Sequence, residues 1–266
     1  NTFVMQQIEA DRLREQAARR IGDVDLALRH IQVAAQCGAN AVKFQLFRAA
    51  SLDSRPEMQQ RLRPYEVALE WLPRLATVAH QHQLKFGVTP FAVDLVEPLR
   101  GLVDFVKISA YDLTFLPLIE AAAGLGVPVV LSTAMATWNE MWDGYMAAGR
   151  APQVTLLHGV AAYPAALLDM HLAALTAMRE AYPHVGLSDH TPGYDAAVMA
   201  TVLGASMIEK HFRLSTVPET SPDYPHSLDE EQFAHLVTLV RRAEEALGDG
   251  VKNGPLACER ELFETC

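Results

Sequence analysis

Short apolar runs alternate with longer amphipathic stretches along most of the chain. Residues 3–8, 41–45, 85–88, 105–108, 128–131, 154–158, 185–187 and 207–209 read as strands. They are short and apolar and lack polar alternation, the pattern of a parallel sheet buried on both faces. Helical spacing fills the intervals. Asp23 caps a helix over 24–37, with Leu26, Ile31, Val33 and Ala34 on its apolar face and Gly38 as its stop. Further helices are predicted over 65–82 (kinked at Pro73), 92–99, 114–124, 137–148 (capped by Thr137), 169–182, 194–203 and 229–247. Residues 11–20, charged and Ala-rich, read as a short helix or helical loop, and residues 48–63 as a long irregular loop.

Eight strands, each followed by a helix, predict a (β/α)₈ TIM barrel. An open doubly wound sheet is the alternative, weakened because no Gly-x-Gly-x-x-Gly follows the first strand. The barrel is expected over residues 1–248, with 249–266 as a polar C-terminal tail, the remnant of a linker.

Composition narrows the classes. Half of the 266 residues are hydrophobic, enough for one large core, and the net charge is −10. With no Lys/Arg run or basic patch, nucleic acid and anionic membrane surfaces are excluded as partners, and no apolar run is long enough to span a bilayer. No signal peptide is recognised, and a first residue other than Met reads as a processed or trimmed start. Cys37, Cys258 and Cys266 are odd in number and widely spaced, which fits reduced thiols in a cytoplasmic protein.

A barrel of this kind carries its chemistry at the C-terminal ends of its strands. There the sequence places Lys43 and Gln45, Thr89, Lys107 and Ser109, Ser132 and Thr133, His158 with Tyr163 beyond it, Ser188-Asp189-His190, and Glu209-Lys210-His211. A lysine inside a buried strand is costly unless it is paired. Lys43 and Lys107 among several hydroxyls therefore predict a cradle for phosphate or carboxylate. His190 and His211, each beside a carboxylate on neighbouring strands, predict a metal site. The bland readings are a lysine paired within the barrel, hydroxyls that cap the next helix, Tyr163-Pro164 as a turn, His158 as a packed residue, and two unrelated histidines.

In order along the chain, Lys43-Phe44-Gln45, Thr89-Pro90-Phe91, Lys107-Ile108, Leu131-Ser132-Thr133, Tyr163-Pro164, Ser188-Asp189-His190-Thr191-x-Gly193 and Glu209-Lys210-His211-Phe212 resemble the catalytic barrel of the sialic acid synthases. The resemblance covers roughly residues 40–245 and implies an aldolase-like barrel. It implies condensation of phosphoenolpyruvate with an open-chain aldose, usually an N-acyl amino sugar, to a 3-deoxy-2-ulosonic acid and phosphate, with Mn²⁺ or Mg²⁺ as cofactor. By resemblance, Lys43, Gln45, Thr89, Lys107, Ser132 and Ser188 hold phosphoenolpyruvate, and His190 and His211 bind the metal. Glu209, Asp223 and Tyr163 belong to the catalytic set, together with Gln7 or Glu9 in place of the family's first-strand glutamate. A homodimer is implied as well.

The departures fall mainly in the acceptor half. Ala110 replaces a serine, Ala134 a glycine, and Ala161 stands at the position of an acceptor-contacting asparagine. No counterpart of the family's C-terminal antifreeze-like domain is recognised. Two other readings stand beside this one: a catalytically idle barrel that binds a small anionic metabolite, and an aldolase of the octulosonate- or heptulosonate-phosphate type. The latter needs a basic acceptor pocket from Arg12, Arg48 or Arg213.

Overall fold

A computed structural model describes residues 2–8, 24–221 and 223–260. Eight parallel strands close into a barrel in sequence order. They are β1 (Phe3–Ile8), β2 (Ala41–Leu46), β3 (Lys85–Pro90), β4 (Phe105–Ile108), β5 (Val129–Ser132), β6 (Val154–Gly159), β7 (Val185–Asp189) and β8 (Met207–Phe212). Closure comes from β1 pairing with β2 on one side and β8 on the other, with Gln7 in register with Lys43 and with His211.

Successive residues of each strand face opposite sides of the sheet. The outward set (Val42, Phe44, Phe86, Val88, Val106, Ile108, Leu131, Leu156, Leu187, Ile208) joins the helices in one large core. The inward set starts with a separate apolar plug of Met5, Ala41, Phe105, Val130 and Leu157, edged by Phe3 and Met207. The Phe105 ring fills this plug because β3 offers Gly87 opposite it: a Cβ at Gly87 would sit 2.1 Å from the ring. One pleat further toward the C-terminal ends, the inward positions turn polar. The plug is therefore the apolar floor of the site.

Asp23, expected to cap the first helix, lies outside the described residues, while the stop at Gly38 and the Thr137 cap are as expected. Helix Val24–Gln36 ends before Gly38, which takes φ +80°. Thr137 and Asp229 each close a capping box, on helices Trp138–Ala147 and Glu230–Leu247. Four expectations are corrected. Residues 92–99 form two 3₁₀ turns, Val93–Leu95 and Glu97–Leu99, because Pro98 lacks the N–H that a continuous α-helix needs there. The third strand is thus not followed by an α-helix. Residues 48–63 are not irregular: they hold helices Ala49–Leu52 and Pro56–Leu62, and the latter buries no residue, so it leaves no apolar stripe to read. Pro73 does not kink a long helix; it stands in the first turn of helix Leu72–Gln81, where its missing N–H costs nothing. The helix expected over 169–182 is a 3₁₀ turn, Leu167–Met170, followed by helix Ala174–Ala181. The prediction for 11–20 lies outside the described residues. No helix of the described residues is long and apolar enough to cross a membrane.

Candidate active site

Glu209 is the centre of the polar layer. On β8 it points inward, 1 % exposed, and accepts hydrogen bonds from Lys107 Nζ and, at 2.7 Å, from Ser188 Oγ. Lys43 Nζ lies 3.7 Å from its other carboxylate oxygen and donates to Thr89 Oγ1 at 3.1 Å. Burial alone would raise the Glu209 pKa, but the two ammonium groups and the hydrogen bonds overcome it and hold the carboxyl at about 2. For Lys43 the balance is reversed. Burial outweighs the attraction of Glu209, and repulsion from Lys107 adds to it, so the amine is brought down to about 7. Two lysines against one carboxylate leave the floor with a capacity for anions that the hydroxyls of Thr89, Ser132 and Ser188, all buried, can share by hydrogen bonding. Gln45 is the next inward residue of β2, in register with Thr89.

One pleat above, imidazoles replace the lysines. His190 Nδ1 bonds to the Val160 carbonyl at 2.7 Å, which puts the proton on Nδ1 and leaves Nε2 as the lone-pair nitrogen, 3.4 Å from Ser188 Oγ. The His211 ring is 5.3 Å from that of His190 and 4.5 Å from that of His226. Burial lowers His190 to about 4 and puts His211 well below its ordinary value, with repulsion between neighbouring imidazoles adding to the latter. Both are neutral at pH 7, the state in which an imidazole binds a cation. Asp223 enters from the loop after β8, with Oδ2 3.9 Å from His211 Nδ1. Tyr163, half exposed, lays its ring 4.4 Å from His190, and burial raises its phenol to about 12, so it stays protonated as a hydrogen-bond donor.

Not every rim candidate faces in. Asp189 and Lys210 face outward and bond to each other at 2.9 Å, fully buried, while Asp189 also accepts from the Thr191 backbone and hydroxyl. That pair fixes the turn after β7 and takes no part in the site. His158 likewise points outward, to the Met170 carbonyl at 2.7 Å. Gln7 stands between Lys43 and His211 in backbone register, and Glu9 lies outside the described residues.

The NeuB family model matches residues 30–252. The chain belongs to the NeuB family. An uncharacterized protein of Methanocaldococcus jannaschii is 34% identical over 247 residues, covering 91% of this chain and 73% of the relative. N,N'-diacetyllegionaminic acid synthase of Campylobacter jejuni is 32% identical over 265 residues, covering 91% and 78%. Among solved structures, the N-acetylneuraminic acid (sialic acid) synthetase of Leptospira borgpetersenii superposes with a TM-score of 0.87 at 31% identity, covering 99% of this chain and 90% of that one. The protein is an enzyme of the sialic acid synthase type.

Within this NeuB-family barrel the sequence reading missed His226. It sits on the 3₁₀ turn Tyr224–His226, behind β8, and its ring comes within 6.4 Å of His190 and 5.4 Å of Tyr163. The available signal was the Asp223-x-x-His226 spacing, since residues three apart share one side of a 3₁₀ turn. Arg213 is committed elsewhere: it reaches Asp229 at 3.4 Å and lies over the Tyr224 ring at 4.0 Å. Arg48 is paired with Asp94 on the surface.

Proposed function

We propose that the protein condenses phosphoenolpyruvate with the aldehyde of an aldose, giving a 3-deoxy-2-ulosonic acid and inorganic phosphate in a reaction that uses a divalent cation. The new C–C bond joins C3 of phosphoenolpyruvate to the aldehyde carbon, whose oxygen takes up a proton and becomes a hydroxyl. Water supplies the oxygen added at C2, and the bond from C2 to the phosphate oxygen breaks as the 2-keto group forms. The observation that carries the reading is the convergence of Lys43, Lys107, Thr89 and Ser188 on a buried floor directly beneath His190 and His211.

In this reading Lys43 and Lys107 bind the carboxylate and phosphate, with Thr89, Ser132, Ser188 and Gln45 donating to their oxygens. Anion binding draws the lysines toward the substrate, which frees Glu209 to orient water or hold a proton at C2. Asp223 and Tyr163 stand at the acceptor side, where Tyr163 donates to the aldose. The donor set suits a metal: the rings of His190 and His211 lie 5.3 Å apart, and Asp223 Oδ2 comes within 3.9 Å of His211 Nδ1. His190 and His211 would hold Mn²⁺ or Mg²⁺, and the ion supplies Lewis-acid polarisation to the aldehyde. The catalytic unit in this reading is residues 1–248, with 249–266 outside it, and it works as a cytoplasmic homodimer. Of the arginines expected to form a pocket for a phosphorylated acceptor, Arg12 lies outside the described residues, and Arg48 and Arg213 are already paired, which disfavours such an acceptor among the described residues.

The test is release of phosphate from phosphoenolpyruvate with Mn²⁺ present, across a panel of N-acyl hexosamines, plain aldoses and their phosphates. Release that depends on an unphosphorylated aldose is expected. No release with any acceptor sinks the proposal.

A further inference from the structure

Three imidazoles meet above the lysine floor, and the third has no role in the reading above. His226 is 1 % exposed, and neither of its ring nitrogens has a hydrogen-bond partner among the described residues. Buried polar groups are nearly always satisfied, so such a side chain calls for an explanation. Its Nε2 lies 3.3 Å from Asp223 Oδ1, out of line for a hydrogen bond. Asp223 Oδ2 is buried and accepts no hydrogen bond either. One donor atom each from His211, Asp223 and His226 lies within 4.8 Å of the others. Donors sharing one ion at bond lengths of about 2.1 Å stand roughly 3–4.2 Å apart, so small rotations about χ1 and χ2 bring this set onto a single ion.

The local sequence explains how the set is built. Asp223 precedes the 3₁₀ turn Tyr224–His226, in which three residues complete one revolution, so Asp223 and His226 project to the same side. Pro225 within the turn fixes its backbone. The turn then packs both side chains against His211, which β8 holds rigidly.

We propose that His226 and Asp223 are direct ligands, which with His211 form a two-histidine, one-carboxylate face for the divalent cation, His190 closing the site from β7. Nitrogen-rich donors of this kind select a first-row transition ion such as Mn²⁺, Fe²⁺ or Co²⁺ over Mg²⁺. The inference deepens the proposed function and rests on it only for what the ion does in the reaction.

The test is metal binding without substrate. Metal-stripped protein is titrated with MnCl₂ and free Mn²⁺ is read by electron paramagnetic resonance, for wild type, His226→Ala, His226→Gln and Asp223→Asn, with circular dichroism as the check on folding. One Mn²⁺ per chain is expected, with binding weakened at least about tenfold in each variant and Mg²⁺ a poor competitor. Pulsed spectra of wild-type protein with Mn²⁺ read imidazole nitrogen couplings and need no variant to fold; loss of one of them in His226→Gln is expected. Wild-type binding with an unchanged dissociation constant in the folded His226 variants overturns the inference and leaves the synthase reading intact. No uptake of Mn²⁺ by wild type overturns the inference and the metal half of the proposed function together. Failure of phosphate release alongside His226-dependent Mn²⁺ binding sinks the function alone.

Discussion

Glu209 carries a burden that a single substitution can expose. It is the counter-charge for two buried lysines, and its folded pKa of about 2 stands well below the ordinary 4.5. A carboxyl with a depressed folded pKa stabilises the fold above its unfolded value, and that contribution is lost as pH falls toward the folded one. Glu209→Gln keeps the shape but leaves Lys43 and Lys107 facing each other without an anion. Removing one partner of a buried ion pair costs about 3–5 kcal/mol. Urea unfolding at pH 7 should show a loss of that order. The gap between wild type and variant should then narrow as pH drops from about 4.5 toward 2, where Glu209 itself takes up a proton. A gap that stays constant over this range would show that the lysines do not depend on the Glu209 charge.

At the scale of elements, the packing of the barrel floor turns on the close approach at Gly87. β3 approaches β4 with Gly87 against the Phe105 ring, so Gly87→Ala forces either the ring or the strand to move. Overpacking of this kind costs about 1–3 kcal/mol, and Phe105→Leu in the same chain should recover most of it, as thermal unfolding of the single and double variants would report. Additive losses in the double variant would contradict the packing argument. The strands around this contact were legible because each is a compact apolar run, and the Thr137 cap because a threonine opens that helical run, whereas Asp229, read as the first residue of the last helix, proves to be its cap. What an unbroken apolar run does not reveal is its phase. Lys210 and Asp189 read as rim residues, yet period 2 turns both outward once Glu209 and His211 face in. The helices of 49–62 were hidden because they bury almost nothing, and His226 because it lies in a loop that has neither period. The strand-borne candidates could be listed from the strand ends, the loop-borne Tyr163 and Asp223 were reached through the family resemblance, and His226 was reached by neither route.

Over the whole molecule, the charge of −10 opposes the anion that the floor is proposed to hold. The opposing field comes from exposed carboxylates and is cut off within about 10 Å at 0.1 M salt. The attracting field comes from Lys43 and Lys107, both under 10 % exposed, and salt screens buried charges much less. The two fields therefore respond differently to ionic strength. Raising KCl from about 20 to 200 mM removes most of the long-range repulsion and leaves the local attraction, so the KM for phosphoenolpyruvate should hold steady or fall. A protein that gathers its anion through a basic surface shows the reverse, with KM climbing as salt is added. Steady-state assays at fixed Mn²⁺, with KCl replaced by potassium acetate as a check on chloride competing for the site, separate the two cases. A rise in KM of more than about threefold in both salts would mean that exposed cations, not the two buried lysines, gather the substrate.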